Sequence, residues 1–205
     1  MALPRCLFEL DSSIMTDLFS NWQTFEQFSS IVDEASSVGD EAITSPHYQR
    51  WRDAWIAREV ARCHGASHVG LIDQDRPDFE IRVNEEEFEY EATEALKPDR
   101  RRHDEDRAFR LSGATSIDDP QDSWVTPEDV LNVIHQRATD KGTKDYPVGC
   151  RLVMFVNVGW INGPKPIDAS LIDQLGITEL QNAVGPARAR FSRIELLHQK
   201  HVIAI

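Results

Sequence analysis

Hydrophobic positions near the start of the chain recur at three- and four-residue intervals. Leu18, Trp22, Phe25, Phe28 and Val32 predict a helix over residues 14–35. The stretch "SSVGDEAITSP" then breaks the pattern, with Gly39 and Pro46 as punctuation. A second helix is predicted over residues 47–64, with Tyr48, Trp51, Trp55 and Ile56 as its apolar stripe and Gly65 as its stop. Glu59 borders that stripe, one turn after Trp55, where a surface glutamate packed along its stem is the ordinary reading. After His68 the period shortens. "HVGLI" predicts a strand, and "DFEIRV" and "FEYEAT" alternate cleanly with period two.

Further along, Thr126 is a good N-cap and Pro127 suits the first helical position, which predicts a helix whose Val130, Val133 and Ile134 face the core. "GCRLVMFVNVG" is a nearly continuous apolar run, as expected of a strand covered on both faces. A helix over residues 170–184 and a closing hairpin of "FSRIELL" and "HVIAI" complete the order. Residues 98–125 are charged, poor in aliphatics, and predict a long loop. This order specifies an α/β fold (α+β, with a mixed central sheet). Residues 1–46 read as a helical extension, and residues 47–205 as the α/β core.

Composition narrows the picture. The 205 residues are 40% hydrophobic, enough for a proper core. No apolar run approaches the roughly 20 residues that cross a bilayer. Acids interrupt "MALPRCLFELDSSIM", so no secretory signal and a cytoplasmic location are expected. Cys6, Cys63 and Cys150 have neither disulfide-framework nor CxxC spacing. The net charge of −13 repels nucleic acid overall, so such binding needs a local basic patch. Arg137, Lys141 and Lys144 sit where cations suit the end of a helix, which accounts for them without a further role.

The acids in "RPDFEIRVNEEEFEYEATEAL" are the candidate chemistry. Asp78, Glu80 and Arg82 share one strand face, and Glu89, Glu91 and Thr93 share one face of the next. A short turn at Asn84–Glu85 sets Val83 against Glu86 and Glu80 against Glu89. A slip of two residues would keep the acids on their face, whereas a slip of one would expose the apolar set. Two readings stay open. The acids form the solvated side of a sheet, or they are oxygen ligands for a hard divalent cation.

The local order resembles the PD-(D/E)XK nuclease superfamily, with its restriction-endonuclease-like αβββαβ core. A helix carrying Glu59 precedes a strand, Pro77-Asp78 opens the next, and Glu91-Ala92-Thr93 lies in the one after. The resemblance runs from about Tyr48 to the C-terminus and leaves the first helix as an addition. It implies that Asp78 and Glu91 bind Mg²⁺ or Mn²⁺, with Glu59 assisting. Thr93 stands in the place of the motif lysine. Lys97 is the nearest migrated lysine, and Glu89-x-Glu91 is a second candidate pair. Arg100, Arg101 and Arg102 follow where they could reach phosphates, although Asp99, Asp104, Glu105 and Asp106 dilute them. The implied activity is metal-dependent hydrolysis of DNA or RNA. The alternative is a silent domain of the same fold serving as a protein-interaction or regulatory module, with a protein partner or a second copy. No membrane partner is expected.

Overall fold

The computed structural model describes residues 22–36, 48–73, 75–96, 126–157, 174–198 and 200–205. These residues form four α-helices: α1 (Phe25–Ser36), α2 (Tyr48–His64), α3 (Pro127–Gly142) and α4 (Ile177–Ala183). Seven strands accompany them: β1 (Gln23–Thr24), β2 (His68–Leu71), β3 (Phe79–Val83), β4 (Glu86–Leu96), β5 (Arg151–Asn157), β6 (Arg193–His198) and β7 (His201–Ala204). The strands follow one another in a single mixed sheet, in the order β1-β2-β3-β4-β5-β6-β7. The expected mixed α/β class is present. The chain divides into two compact units, Met1–Phe88 and Glu89–Ile205.

In the first unit, β1, β2 and β3 are antiparallel. The helix expected over residues 14–35 begins only at Phe25 within the described part. Gln23–Thr24 is a short strand instead, and its two residues pair with Val69 and His68. The reason is a reciprocal cap. The Gln27 amide donates to Thr24 Oγ1 at 3.3 Å, and the Thr24 amide donates to Gln27 Oε1 at 3.2 Å, which stops the helix from running back through Thr24. Helix α2 matches its expected span, and Gly65, at φ +64°, ends it.

The apolar stripe of α2 needs correcting. Ala54, Ile56, Ala57, Val60 and Ala61 are fully buried, whereas Trp51 and Trp55 are only partly so. Small side chains let the helix backbone approach β2 and β3 closely, and the large indoles remain at the margin. The two-residue turn after β3 is as expected. Asn84 (φ 50°) and Glu85 (φ 68°) are both left-handed, the requirement of a type I′ turn. Arg82 Nη2 lies 2.6 Å from Glu87 Oε1, consistent with Val83 opposite Glu86.

In the second unit, β4, β5 and β6 are parallel and β7 returns antiparallel to β6. β4 is longer than its alternating core implied, running to Leu96. Helix α3 starts with a capping box: Thr126 Oγ1 accepts from the Asp129 amide, and Asp129 accepts from the Thr126 amide. Its Val130, Val133, Ile134 and Ala138 pack with Leu152 and Met154 of β5 and with Ile194 and Leu196 of β6. β5 is buried on this face, and Val153 of the opposite face is also fully buried, in keeping with its continuous apolar run. The helix expected over residues 170–184 is present only from Ile177 among the described residues. Gly176 before it is extended (φ −67°, ψ 147°), which stops the helix from running back through it. Among the described residues, no helix is long and apolar enough to cross a membrane.

Candidate functional site

Glu91 sits on the face of β4 shared with Thr93 and Ala95, in register with Leu152 of β5. That places it beneath α3, against the main core of the second unit. Its side chain is only 4% exposed. A carboxylate buried to this degree costs several kcal/mol unless it is paired. The pair comes from Lys141, in the last turn of α3, whose Nζ donates to Glu91 Oε1. The Tyr146 hydroxyl lies 3.4 Å from the same oxygen. Glu91 Oε2 is equally buried, and no donor among the described residues reaches it. One oxygen is thus neutralised, and the other is turned inward without a hydrogen bond.

Lys141 was assigned to the helix terminus on sequence grounds, and its actual contact is different. Val130, Ile134 and Ala138 form the buried stripe of α3, and the next position on that stripe is 141. The spacing could have revealed it. A lysine on that stripe reaches the sheet, and only an acid in the sheet makes its burial tolerable. Tyr146 had no such signal. It is fixed by its ring contact with Phe191, with centroids 4.6 Å apart.

Thr93, two residues on from Glu91, is also buried and stands opposite Met154. On the reverse face of β4, a row crosses three strands: Tyr90, Arg151 and Arg193 are in register. Arg151 Nη1 donates to the Tyr90 hydroxyl at 3.1 Å. Burial pushes the Tyr90 phenol up to about 12, the Glu195 carboxylate adds to the rise, and the Arg151 hydrogen bond opposes both. Glu195 is fully buried, and its Oε1 pairs with Arg193 Nε at 2.6 Å. Neither Glu195 nor this row was singled out by the sequence, because in "RIELL" Arg193 and Glu195 alternate with Ile194 as the solvated face of a strand would.

In the first unit, Glu59 is buried, contrary to the ordinary reading of it as a surface residue. Both of its oxygens are engaged. Arg58 lies 2.8 Å from Oε1, and Arg62 lies 3.1 Å from Oε2. Arg58 also reaches Asp33 of α1, so one guanidinium ties the two helices together. Asp78 is partly buried just before β3, and its carbonyl accepts from the Ile72 amide at 3.0 Å. Glu89 is partly buried at the start of the second unit. Lys97, Arg100, Arg101 and Arg102 lie outside the described residues.

The donor set can be compared with the divalent cation that the resemblance implies. Glu91 fits, since one buried oxygen has no donor among the described residues. Glu59 fits poorly, since two arginines already satisfy it. Among the described residues, no group of three or more His, Cys, Asp or Glu side chains could hold a metal ion. Comparisons with family models, with curated proteins and with solved structures give no match.

Proposed function

We propose that the chain is a nuclease-type phosphodiesterase domain whose second unit carries the reacting groups, with Glu91 as the central carboxylate and Lys141 as the lysine that Thr93 does not supply. The observation behind this reading is the Glu91–Lys141 pair, beside which Glu91 Oε2 meets no donor among the described residues. An acid–ammonium pair in a core is expensive and is often improved by apolar replacement, so its presence calls for a use beyond stability.

The roles follow from the atoms. Lys141 Nζ pairs with Glu91 Oε1 and so fixes the rotamer of the carboxylate. The Tyr146 hydroxyl supports the same oxygen, which leaves Oε2 as the acceptor that meets a ligand. An ammonium at this position can hold a water, or a phosphate oxygen, by a charge-assisted hydrogen bond. Mg²⁺ or Mn²⁺, when bound, would supply an activated water and charge stabilisation at phosphorus. Glu91 Oε2 would be its ligand here.

The test is cleavage of plasmid DNA and of single-stranded RNA in Mg²⁺ and in Mn²⁺. Glu91→Gln and Lys141→Met should each lower the rate by about 10²–10⁴-fold, the range typical of a lost acid–base or positioning group. Asp78→Ala should lower it as well. A wild-type protein that neither cleaves nor binds Mn²⁺ would overturn the enzyme. The second reading, a silent domain of the same type used for protein interaction or regulation, would then stand. It is favoured by Glu59, whose charge is spent entirely on Arg58 and Arg62.

A further inference from the structure

The second unit carries a basic surface that the acidic chain as a whole does not announce. Two loops build it. One runs from the end of α3 to the start of β5, and the other from the short 3₁₀ turn Gly185–Ala187 to the start of β6. They are packed into one surface. Tyr146 and Phe191 stack across them. The Ser192 hydroxyl donates to the Gly149 carbonyl at 2.6 Å, and the Ser192 amide to the Cys150 carbonyl at 2.9 Å. Arg190 Nε donates to the Gly142 carbonyl at 3.4 Å. A Cβ on Gly142 would collide with the Pro186 carbonyl, so the two backbones touch there.

The charges on these loops are nearly all of one sign. Lys144, Arg188, Arg190 and Arg193 are exposed, or close to half so. Lys144 and Arg188 make no ion pair with any described acid. Asp145 is the counter-charge in these loops, and it is 95% exposed and 3.4 Å from Arg190, a surface pair of little strength. Arg193 turns partly inward to Glu195. In a chain of net charge −13, a polyanion approaching from any acidic side is repelled. Lys144, Arg188, Arg190 and Arg193 against Asp145 give these loops a local excess of positive charge.

We infer that the face formed by residues 142–150 and 185–193 docks the phosphate backbone of a nucleic acid without reading its bases. The inference rests on the nuclease reading for its choice of partner, and Tyr146 joins the two, since it touches both Phe191 of this face and Glu91 of the site. Exposed arginines and lysines on a packed loop pair suit phosphate oxygens, and the face is made of loops rather than of a helix or β-ribbon that would enter the major groove.

Binding is measured by fluorescence anisotropy in EDTA, with mixed-sequence duplex DNA, single-stranded RNA and poly-glutamate as probes, across 20–200 mM salt. The variant is Lys144→Glu/Arg188→Glu, two exposed positions that leave the Arg190 and Arg193 pairings intact; near-UV circular dichroism checks its fold. Expected is salt-sensitive binding of DNA or RNA by the wild-type protein. The double variant should bind at least about tenfold more weakly, with the log–log salt slope reduced by about 2, one for each lost phosphate contact. Equal binding by variant and wild type would overturn the inference. So would a wild-type protein that binds poly-glutamate but neither nucleic acid, which would make the face an acidic-protein dock. The assay holds no metal, so the fate of cleavage does not enter. A protein that binds through this face but fails to cleave refutes the enzyme alone.

Discussion

Glu59 and Glu91 are both glutamates buried within a few per cent of completion, yet the two units neutralise them by opposite means. Glu59 takes its partners from its own helix, at the preceding residue and three residues on. Glu91 takes its partner from an element fifty residues away. The local solution satisfies both oxygens, and the distant one satisfies a single oxygen. A helix surrounds an acid with neighbours at fixed spacing, so its charge can be closed off within one turn. A strand offers no such neighbours on the same face except every second residue, and here those are Glu89 and Thr93. The strand acid therefore depends on whatever packs over it. That dependence leaves a polar atom available, which is why Glu91 and not Glu59 is the better candidate for chemistry.

The comparison can be broken most severely at Lys141. Lys141→Met should destabilise the fold by about 3–5 kcal/mol, because it removes the charge partner of a buried carboxylate. Urea unfolding at neutral pH measures it. Adding Glu91→Leu to the same chain should recover most of that loss, or exceed the wild type, since an apolar pair needs no desolvation. If the double variant is as unstable as the single one, the charge pair is not the reason for the cost.

A smaller effect tests the long-range row on the other face of β4. The Tyr90 phenol is raised from 10.0 to about 12 in the folded chain. The unfolded chain therefore loses this proton first as pH rises, and folding stability falls through that window. The loss should approach about 2.7 kcal/mol between pH 10 and 12, at roughly 1.36 kcal/mol per pH unit. Tyr90→Phe should flatten the slope of unfolding free energy against pH in that range, and an unchanged slope would remove Tyr90 as its source.

Gly142→Ala should cost about 1–3 kcal/mol, the range of a methyl forced into a packed contact, since the Pro186 carbonyl is backbone and yields little. A neutral result would show that the two loops of the basic face are not held together there. The smallest change is expected at Glu59. Arg62→Ala should cost under about 1 kcal/mol, because Arg62 is 47% exposed and Arg58 remains on the other oxygen. A cost as large as that of Lys141→Met would erase the distinction between local and distant pairing.

Much of the fold could be read from the chain alone, and the reason is locality. The period-two stretches became β3 and β4, the Asn84–Glu85 turn formed, Thr126 and Pro127 opened α3, and Gly65 closed α2. Each depends on residues within one turn of one another. The start of α1 was missed because the Thr24–Gln27 cap competes with an apolar period that runs straight through it. The tryptophans of α2 were placed in the core because their size suggests it, while the alanines that occupy the closest packing carry almost no pattern.

The candidate site was legible only in part. Parity along β4 puts Glu91 and Thr93 on one face and Tyr90 on the other whatever the neighbouring strands do, because successive side chains alternate. That the resemblance calls for a lysine where Thr93 stands was likewise plain in the residues. What stands over that face was not. Lys141 meets Glu91 because β5 runs parallel to β4 and α3 crosses back between them, a long-range arrangement that no local period encodes. The Tyr90–Arg151–Arg193 row likewise exists only once three parallel strands are in register. Spacing decides the face to which a side chain belongs, whereas its partner depends on which distant segment the packed core brings to that face.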